Sequence, residues 1–298
     1  MRTKKEKGLA VYLWVGLLAT ACTGGVSRPG SATKGAPSEQ GAAEALSAAG
    51  EQELRRIVAS GRLDDMQWPN FSDYGTSVKE FYDEAAYKLG WSQGGKPTPQ
   101  ALEMIVLLEN ADEKGLDKVD YDGERWQRRL TAMQGAGPDT EAALVKFDVA
   151  LTVSAMRYIS DLHLGKVDPR TLHKDFDPER HKYDLGEFLR KRVTGASSVK
   201  EALARVEPPF AGYQRTLVAL KKYEALAKEE KPDLLPQLQK PISPGQNYEA
   251  VQQLARRLQF LGDLPASVNV PEGATTYSGE VVDGVKNFQK RHGLEAAG

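Results

Sequence analysis

Side chains that commonly carry catalysis or hold metals are sparse in this sequence. Cysteine occurs once, as Cys22, and there are 4 histidines in 298 residues. Three of these, His163, His173 and His181, lie near one another with aspartates in between, at spacings of ten and eight residues. Compact zinc motifs place paired ligands roughly two to five residues apart. We therefore predict that the chain holds no metal and needs no cofactor.

Other catalytic and binding patterns are also missing from the sequence. It contains neither a Gly-rich phosphate-binding loop nor a Gly-x-Ser-x-Gly nucleophile motif. Carboxylates are numerous, but the sequence alone does not pair two of them across a cleft, as a glycosidase requires. The net charge is −1, and the basic stretches contain few aromatic residues. This balance predicts no nucleic-acid partner.

The N-terminal segment has the pattern of an export signal. Basic residues up to Lys7 precede an uncharged, mostly apolar run over residues 8–21, which is too short to span a bilayer comfortably. The run ends in Leu18-Ala19-Thr20-Ala21-Cys22, which resembles a bacterial lipoprotein box. Two or more acyl chains on a new N-terminal cysteine form a stable anchor. We predict a signal peptide at 1–21 and lipidation of Cys22, the alternative being an ordinary secretory leader with an accidental cysteine.

Composition divides the rest of the chain into four segments. Residues 22–50 are rich in Gly, Ser, Ala, Thr and Pro, and they cannot bury enough apolar surface to offset the entropy of ordering. We predict a flexible tether there. Residues 51–231 have helical periodicity throughout, and 232–244 contain four prolines and are predicted to be a linker. Residues 245–298 form a separate C-terminal segment.

The apolar spacing predicts an all-α fold with no internal repeat. Within 51–231 the helices are expected over 51–60, 76–89, 97–114, 122–133, 140–164, 185–193, 199–206 and 210–228. In the third of these, Thr98 is expected to be the N-cap with Pro99 at the first helical position, and Leu102, Ile105, Val106 and Leu108 are expected to be buried. The long helix at 140–164 is expected to be the spine. We expect the core to include Phe147, Leu151, Tyr158, Tyr213 and Leu217.

Two short amphipathic helices are predicted in the C-terminal segment. The first buries Val251, Leu254, Leu258 and Leu261, and the second buries Val281, Val285 and Phe288. Gly262 and Gly293 are expected just past the helix ends, where a left-handed residue is favoured. Ser278 is expected to cap the second helix.

The residue types in this segment support a more specific hypothesis. The pattern V-x-x-L-x-x-x-L-x-x-L-G from Val251, followed by V-x-x-V-x-x-F-Q-x-x-x-G-L from Val281, resembles the peptidoglycan-binding domain of cell-wall enzymes, a three-helix module. The sequence Leu261-Gly262-Asp263-Leu264-Pro265 before a longer loop resembles the variant in large murein L,D-transpeptidases of the YcbB type. The resemblance implies a peptidoglycan-binding domain at 245–298.

The preceding segment resembles the helical scaffold domain of the same transpeptidases. The residues that carry this resemblance include Phe147-Asp148-x-x-Leu151-Thr152 and Tyr158-x-x-Asp161-Leu162-x-x-Gly165-x-Val167-Asp168-Pro169. The two resemblances occur in the order that the family has. They imply a scaffold domain at 51–231 followed by the peptidoglycan-binding module.

The family's reaction needs a cysteine thiolate in a Ser-(His/Tyr)-Gly-Cys motif, with a histidine as its base. This chain has no such motif, and it ends where the family continues through a final turn into the catalytic YkuD domain. We therefore expect a truncated binding module, no catalytic residue in the 298 residues, and an intact parent that is a cysteine L,D-transpeptidase. Two alternatives remain: a stand-alone lipoprotein that tethers the envelope to murein, and a wall hydrolase with a zinc or glycosidase site beyond this chain.

The expected ligand is peptidoglycan, through its glycan strands or stem peptides. Tyr277 is expected to stack on a sugar or peptide face, and Asp283, Asn287, Gln289 and Arg291 are expected to form hydrogen bonds with it, the alternative being plain helix surface. The predicted lipid is the contact with the membrane. We expect a periplasmic location in the cell envelope, anchored at the outer membrane.

Overall fold

A computed structural model describes residues 46–135, 138–167, 183–229 and 234–298 of the chain. The predicted signal peptide, Cys22 and nearly all of the predicted tether lie outside these residues. The described part confirms the all-α fold class, because its regular structure is helical apart from one hairpin of two-residue strands. Within it, no helix is both long and apolar enough to cross a membrane.

The described residues form ten α-helices. These are α1 (Ala48–Ser60), α2 (Gly75–Glu84), α3 (Pro99–Glu109), α4 (Trp126–Ala132), α5 (Pro138–Leu164), α6 (Leu185–Phe188), α7 (Val199–Ala204), α8 (Ala211–Lys228), α9 (Val251–Leu261) and α10 (Glu280–Arg291). Single 3₁₀ turns occupy Ser72–Tyr74, Ala111–Lys114 and Lys118–Tyr121, and a π-helical turn, Leu189–Val193, continues α6. Strand β1 (Ser92–Gln93) pairs antiparallel with β2 (Lys96–Pro97).

Short-range capping fixes several helix ends where the sequence predicts them. The hydroxyl of Thr98 accepts a hydrogen bond from the Ala101 N–H at 3.1 Å, with Pro99 at the first helical position. Gly61 ends α1 in the left-handed conformation, with φ of 62°. These caps depend on residues only a few positions apart, and that is why the sequence reveals them.

Helix α2 is shorter than predicted. It ends at Glu84, and Ala86 and Tyr87 then adopt positive φ angles of 50° and 56°. The Tyr87 ring stacks on the Tyr82 ring at 6.4 Å between centroids, and the Arg55 guanidinium of α1 lies 3.6 Å from the Tyr87 centroid. The turn that follows Glu84 therefore contacts α1 through Tyr87, whereas the sequence pattern predicts that the helix continues to residue 89.

Helix α5 is the centre of the scaffold core. Its residues from Val145 to Ile159 are almost all buried, and α1, α3 and α4 pack around it. Phe147, Leu151 and Tyr158 are buried as predicted. The burial of α5 on nearly all sides is typical of a helix at the middle of a helical domain.

Two predicted apolar faces are less buried than expected. Leu102 and Val106 of α3 are 44% and 54% exposed, and the helix buries Ala101, Met104, Ile105 and Leu108 instead. Helix α8 contains no buried residue, so the prediction that Tyr213 and Leu217 belong to the core is wrong; both are only half-buried. Periodicity identifies an apolar face, but a neighbouring element must exist to cover it.

The C-terminal module, residues 245–298, contains the two predicted helices as α9 and α10. Its separate core consists of Tyr248, Val251, Ala255, Leu258, Leu264, Tyr277, Val281 and Val282, with Leu254, Val285 and Phe288 partly buried against it. Gly262 ends α9 with φ of 80°, as predicted. The capping prediction for Ser278 is wrong, because Gly279 occupies the N-cap position of α10 and makes no side-chain cap. Two α-helices are present, so the three-helix count is not confirmed.

Candidate functional site

The two helices of the C-terminal module approach each other at Gly284. A Cβ atom at this position would lie 3.1 Å from Leu258 Cδ1 of α9 and 3.3 Å from Leu264 Cβ. Contacts this short are tighter than ordinary van der Waals packing. The absence of a side chain at Gly284 therefore allows α10 to lie close against α9 and against the turn that follows it.

An ion pair between the partly exposed Arg291 and the buried Asp263 holds that turn in place. Asp263 accepts two hydrogen bonds from Arg291, from Nε to Oδ1 at 2.9 Å and from Nη2 to Oδ2 at 2.6 Å. The amide of Asn287 donates to the backbone carbonyl of Asp263 at 3.1 Å. The bidentate contact with Asp263 raises the pKa of Arg291 above its usual value. Both α10 side chains therefore fix the segment Leu261–Leu264 that carries the sequence resemblance.

The same arginine joins the module to α8. Its remaining terminal nitrogen, Nη1, donates a hydrogen bond to the hydroxyl of Tyr223. The preceding residue of α8, Lys222, donates a hydrogen bond from Nζ to the Leu261 carbonyl at 3.4 Å. Arg291 thus connects the turn after α9 with α8, and its guanidinium group already forms hydrogen bonds with both.

Tyr277 does not lie where a ligand-stacking residue would. Its side chain is 4% exposed, and its hydroxyl is buried without a hydrogen-bond partner. Burial raises the pKa of this phenol. The Tyr277 N–H donates to the Gln246 carbonyl at 2.9 Å, and the Gly245 N–H donates to the Tyr277 carbonyl at 2.7 Å. The expectation that Tyr277 offers its ring to a sugar is corrected: the ring belongs to the module's core.

The remaining two residues predicted to bind peptidoglycan lie elsewhere on α10. Gln289 is half-buried, and its side-chain oxygen accepts a hydrogen bond from the Gly298 N–H at 3.0 Å. Asp283 is exposed, and its side chain makes no hydrogen bond with another described residue. Of the five residues, Asp283 is therefore the one whose side chain is available to a ligand without breaking an internal contact.

A second polar arrangement, which the sequence pattern did not reveal, lies inside the scaffold. Asp148 of α5 is completely buried and accepts hydrogen bonds from the Tyr82 hydroxyl at 2.7 Å, the Trp91 N–H at 2.7 Å and the Gly90 N–H at 3.2 Å. One turn later, Thr152 Oγ1 accepts from the Trp91 indole at 3.0 Å and lies 3.0 Å from the Tyr82 hydroxyl. Burial raises the pKa of Asp148 to about 6, and the three hydrogen bonds oppose that rise.

This network gives a physical reason for the motif Phe147-Asp148-x-x-Leu151-Thr152. The four-residue spacing places Asp148 and Thr152 on one face of α5. Both contact the Tyr82 side chain of α2 and Trp91 in the loop that leads to β1. Phe147 and Leu151 are directed into the apolar core beside them. The motif thus holds the loop in place, because the Asp148 carboxylate accepts hydrogen bonds from backbone N–H groups of that loop. This is a structural role.

A further buried pair ties two scaffold loops together. Arg129 of α4 donates from Nη2 to Asp122 Oδ2 at 2.6 Å, and Asp122 Oδ1 accepts from the Gln67 N–H at 2.7 Å. The Tyr121 hydroxyl donates to Asp161 Oδ2 at 2.7 Å. The contacts of Tyr121 with Asp161 and of Asp122 with Gln67 join residues 40 and 55 positions apart, so sequence spacing gave no signal for them.

The described residues contain no arrangement suited to the acyl-transfer chemistry of a cysteine enzyme. The single cysteine of the chain is Cys22, which lies outside them. The ring of His163 packs on Tyr183, and its Nδ1 lies 3.2 Å from the Val206 carbonyl. No group of three or more His, Cys, Asp or Glu in the described ranges is placed to hold a metal ion. Since His173 and His181 fall outside those ranges, the metal expectation stays a prediction.

Comparison with known families supports the scaffold assignment. Residues 76–220 match the protein-family model described as "Scaffold domain". This match fits the scaffold domain of L,D-transpeptidases. No curated protein and no solved structure gives a significant match.

The matched segment runs from the start of α2 into α8, and it includes Tyr82, Trp91, Asp148 and Thr152 of the buried network. It covers just under half of the chain and ends before α9. The YcbB type and the peptidoglycan-binding assignment of residues 245–298 therefore remain predictions from the sequence.

Proposed function

We propose that this chain is the non-catalytic scaffold and peptidoglycan-binding portion of an exported murein L,D-transpeptidase that takes part in cell-wall cross-linking. The family match over 76–220 is the observation that carries this proposal. The resemblance of residues 245–298 to a peptidoglycan-binding domain is the reason that we propose peptidoglycan as the ligand. The chain contains no cysteine after Cys22, so we expect no transpeptidation by residues 46–298 alone.

The role of the scaffold is to hold the C-terminal module in a defined orientation. Helix α8 leads out of the scaffold, and its residues Lys222 and Tyr223 contact Leu261 and Arg291 of the module. These contacts fix the direction from which the exposed face of α10 meets the wall. A substrate-positioning part contributes to a reaction by holding its substrate, without supplying a reacting group.

Co-sedimentation with purified sacculi tests the proposal directly. We expect the mature chain to sediment with sacculi and to remain soluble with cellulose of equal mass. Asp283→Ala should weaken sedimentation, because this carboxylate is exposed and free of internal hydrogen bonds. Asp73→Ala, an exposed aspartate of the scaffold, serves as the matched control. Equal binding to sacculi and cellulose would exclude specific recognition.

The proposed location is the periplasmic side of the envelope, with a lipid on Cys22 as the membrane anchor. The basic leader and the small residues before Cys22 support this part of the proposal. We expect Cys22→Ser to move the protein from the membrane fraction to the soluble periplasmic fraction. Unchanged fractionation of the variant would contradict lipid anchoring.

A second candidate is a stand-alone lipoprotein that tethers the envelope to murein. The observation that favours it is the placement of Cys22 directly after the predicted signal peptide, where a lipid would anchor the chain to the membrane. The two candidates differ in the size of the polypeptide that the native host makes. Detection of the native polypeptide with an antibody against the scaffold distinguishes them, since a transpeptidase requires a larger product than this chain.

A further inference from the structure

Trp68 presents an aromatic ring at the scaffold surface. It is 50% exposed, whereas Met66 and Phe71 on either side of it are buried in the core. It lies in the loop between α1 and α2 and precedes the segment that matches the family model. A half-exposed tryptophan leaves part of its ring in contact with water, and tryptophan is enriched where proteins bind partners, so this ring is a candidate contact for a ligand.

The backbone around Trp68 is held rigidly. On one side of the loop, the Leu63 N–H donates to the Pro69 carbonyl at 2.9 Å, and Arg62 forms an antiparallel bridge with Asn70. From α5, Arg157 Nη2 donates to the carbonyls of Trp68 and Asn70, each at 3.0 Å. Such a loop loses little conformational entropy when it binds a ligand.

The ring itself is also oriented. The Trp68 indole Nε1–H donates to Asp120 Oδ1 at 3.1 Å, and the other oxygen of Asp120 forms an ion pair with Lys166. The Lys166 side chain is itself half-exposed. A flat apolar face therefore has a carboxylate and an ammonium group at its edge.

This combination fits a pyranose ring. The C–H groups on one face of a sugar pack on an aromatic ring, while its hydroxyl and acetamido groups project from the rim and need donors and acceptors there. The core of a protein–protein interface is instead depleted of charged residues. The contact fits a neutral polysaccharide better than a protein partner.

We propose that Trp68, Asp120 and Lys166 form a second glycan-binding surface, on the scaffold, for β-1,4-linked N-acetylated amino-sugar strands. This inference rests on the proposed murein-binding function and names a contact outside the C-terminal module. The Trp68 ring stacks on one face of the sugar. Asp120 and Lys166 form hydrogen bonds with the hydroxyl and acetamido groups at its rim. Asp120 also keeps the indole in place.

The first test uses the intrinsic fluorescence of the mature chain. Trp91 and Trp126 are 0% exposed, and Trp14 lies in the predicted leader, so Trp68 is the tryptophan that responds to solvent and to ligand. Titration with the β-1,4-linked N-acetylglucosamine tetramer is expected to shift the emission to shorter wavelength and to reduce quenching by acrylamide. Trp68→Phe should abolish both changes. Emission and quenching that stay constant at millimolar tetramer would overturn the proposal.

The second test measures affinity for the tetramer by isothermal titration. Trp68→Ala should weaken binding about tenfold, the effect expected when one aromatic stacking partner is removed. Trp68→Phe, which keeps a ring but loses the indole N–H, should retain most of the affinity. Phe210→Ala, at another exposed aromatic residue, is the matched control and should bind as the wild type does. Equal affinity of the Trp68→Ala and Phe210→Ala variants would refute a stacking role.

Sacculus binding separates a failure of this inference from a failure of the proposed function. If the wild type sediments with sacculi but the emission of Trp68 does not respond to the tetramer, the proposed glycan-binding surface on the scaffold is refuted. The proposed murein-binding function is then unaffected. If the wild type fails to sediment while its Trp68 emission still shifts with the tetramer, the glycan surface stands and the proposed murein-binding function is wrong. If the wild type self-associates and Trp68→Ala abolishes the self-association but keeps the affinity for the tetramer, Trp68 belongs to an interface between copies and the glycan assignment is wrong.

Discussion

Asp148, a buried aspartate of the scaffold, and Asp263, a buried aspartate of the C-terminal module, are stabilised by different kinds of partner. Asp148 of the scaffold accepts hydrogen bonds from two backbone N–H groups and one tyrosine hydroxyl, and no cation contacts it among the described residues. Asp263 of the module pairs with the Arg291 guanidinium through two hydrogen bonds. Burial raises the pKa of Asp148 to about 6, while the pKa of Arg291 is raised by its carboxylate partner.

The difference shows how each region is held together. The partners of Asp148 lie 57 to 66 positions away along the chain, so this aspartate joins separate parts of a large core. The partner of Asp263 lies 28 positions away and also contacts α8, so it fixes one turn and one junction between regions. We expect changes at Asp148 to act on the whole scaffold and changes at Arg291 to act locally.

Asp148→Ala should have the largest effect. It leaves the N–H groups of Gly90 and Trp91 without an acceptor inside the protein, at a cost of about 3 kcal/mol or more in the free energy of unfolding. Urea denaturation followed by circular dichroism measures this loss. A decrease below about 1 kcal/mol would mean that water replaces the carboxylate.

The pH dependence of stability tests the same residue. Because the folded state raises the pKa of Asp148 to about 6, it binds the proton more tightly than the unfolded chain does. The stabilisation from this group is complete below its ordinary pKa of 3.8 and is lost as the pH rises through about 6. That loss is at most about 3 kcal/mol. We expect wild type to lose stability relative to Asp148→Asn between about pH 4 and 6, and a constant difference would contradict the raised pKa.

Gly186→Ala tests the rigid packing of the scaffold. A Cβ atom at Gly186 of α6 would lie 2.7 Å from the Ser77 carbonyl oxygen of α2, and a backbone atom cannot move aside cheaply. We expect a loss of about 2 kcal/mol by thermal or urea denaturation. Gly195→Ala is the control, because nothing lies within 4 Å of that added atom. Similar stability for both variants would show that α2 and α6 separate easily.

Arg291→Met should act on the module. It removes the two charge-assisted hydrogen bonds to Asp263 and the contact with Tyr223, for about 1 kcal/mol at this partly exposed position. Hydrogen exchange should rise in α9, α10 and the intervening turn, while the amides of α5 keep their protection. Faster exchange in α5 as well would mean that the two regions unfold together. Arg291→Lys keeps the charge and should recover only part of the protection.

Gly284→Ala should have the smallest effect. The added Cβ would meet side-chain atoms of Leu258 and Leu264, which can adjust, and alanine favours the helical state of α10. The two effects oppose each other, so we expect a net change of less than about 1 kcal/mol. Asp283→Ala on the exposed side of the same helix is the control. A loss comparable to that of Gly186→Ala would show that the module is packed as rigidly as the scaffold.

Sequence reasoning located most helices but not all of the faces that they bury. It placed α5, α9 and α10 and the caps at Thr98 and Gly262, since each depends on neighbours within one or two turns. It failed for Leu102 and Val106, which belong to an apolar stretch that no element among the described residues covers. It also predicts ligand contacts for Tyr277 and Arg291, because sequence does not show whether an aromatic ring is buried or whether a charged group already has an internal partner.

The amino-acid sequence by itself determined that this protein is helical, that its regions follow the order of scaffold and then C-terminal module, and that residues 46–298 lack a cysteine. Local hydrogen bonds, side-chain spacing and residue identity are sufficient for those conclusions. Only the tertiary structure decided that Asp148 is enclosed by Tyr82, Gly90 and Trp91 and that Arg291 is committed to Asp263 and Tyr223. Burial and pairing depend on which distant segments meet, and that is settled by the packing of the whole chain.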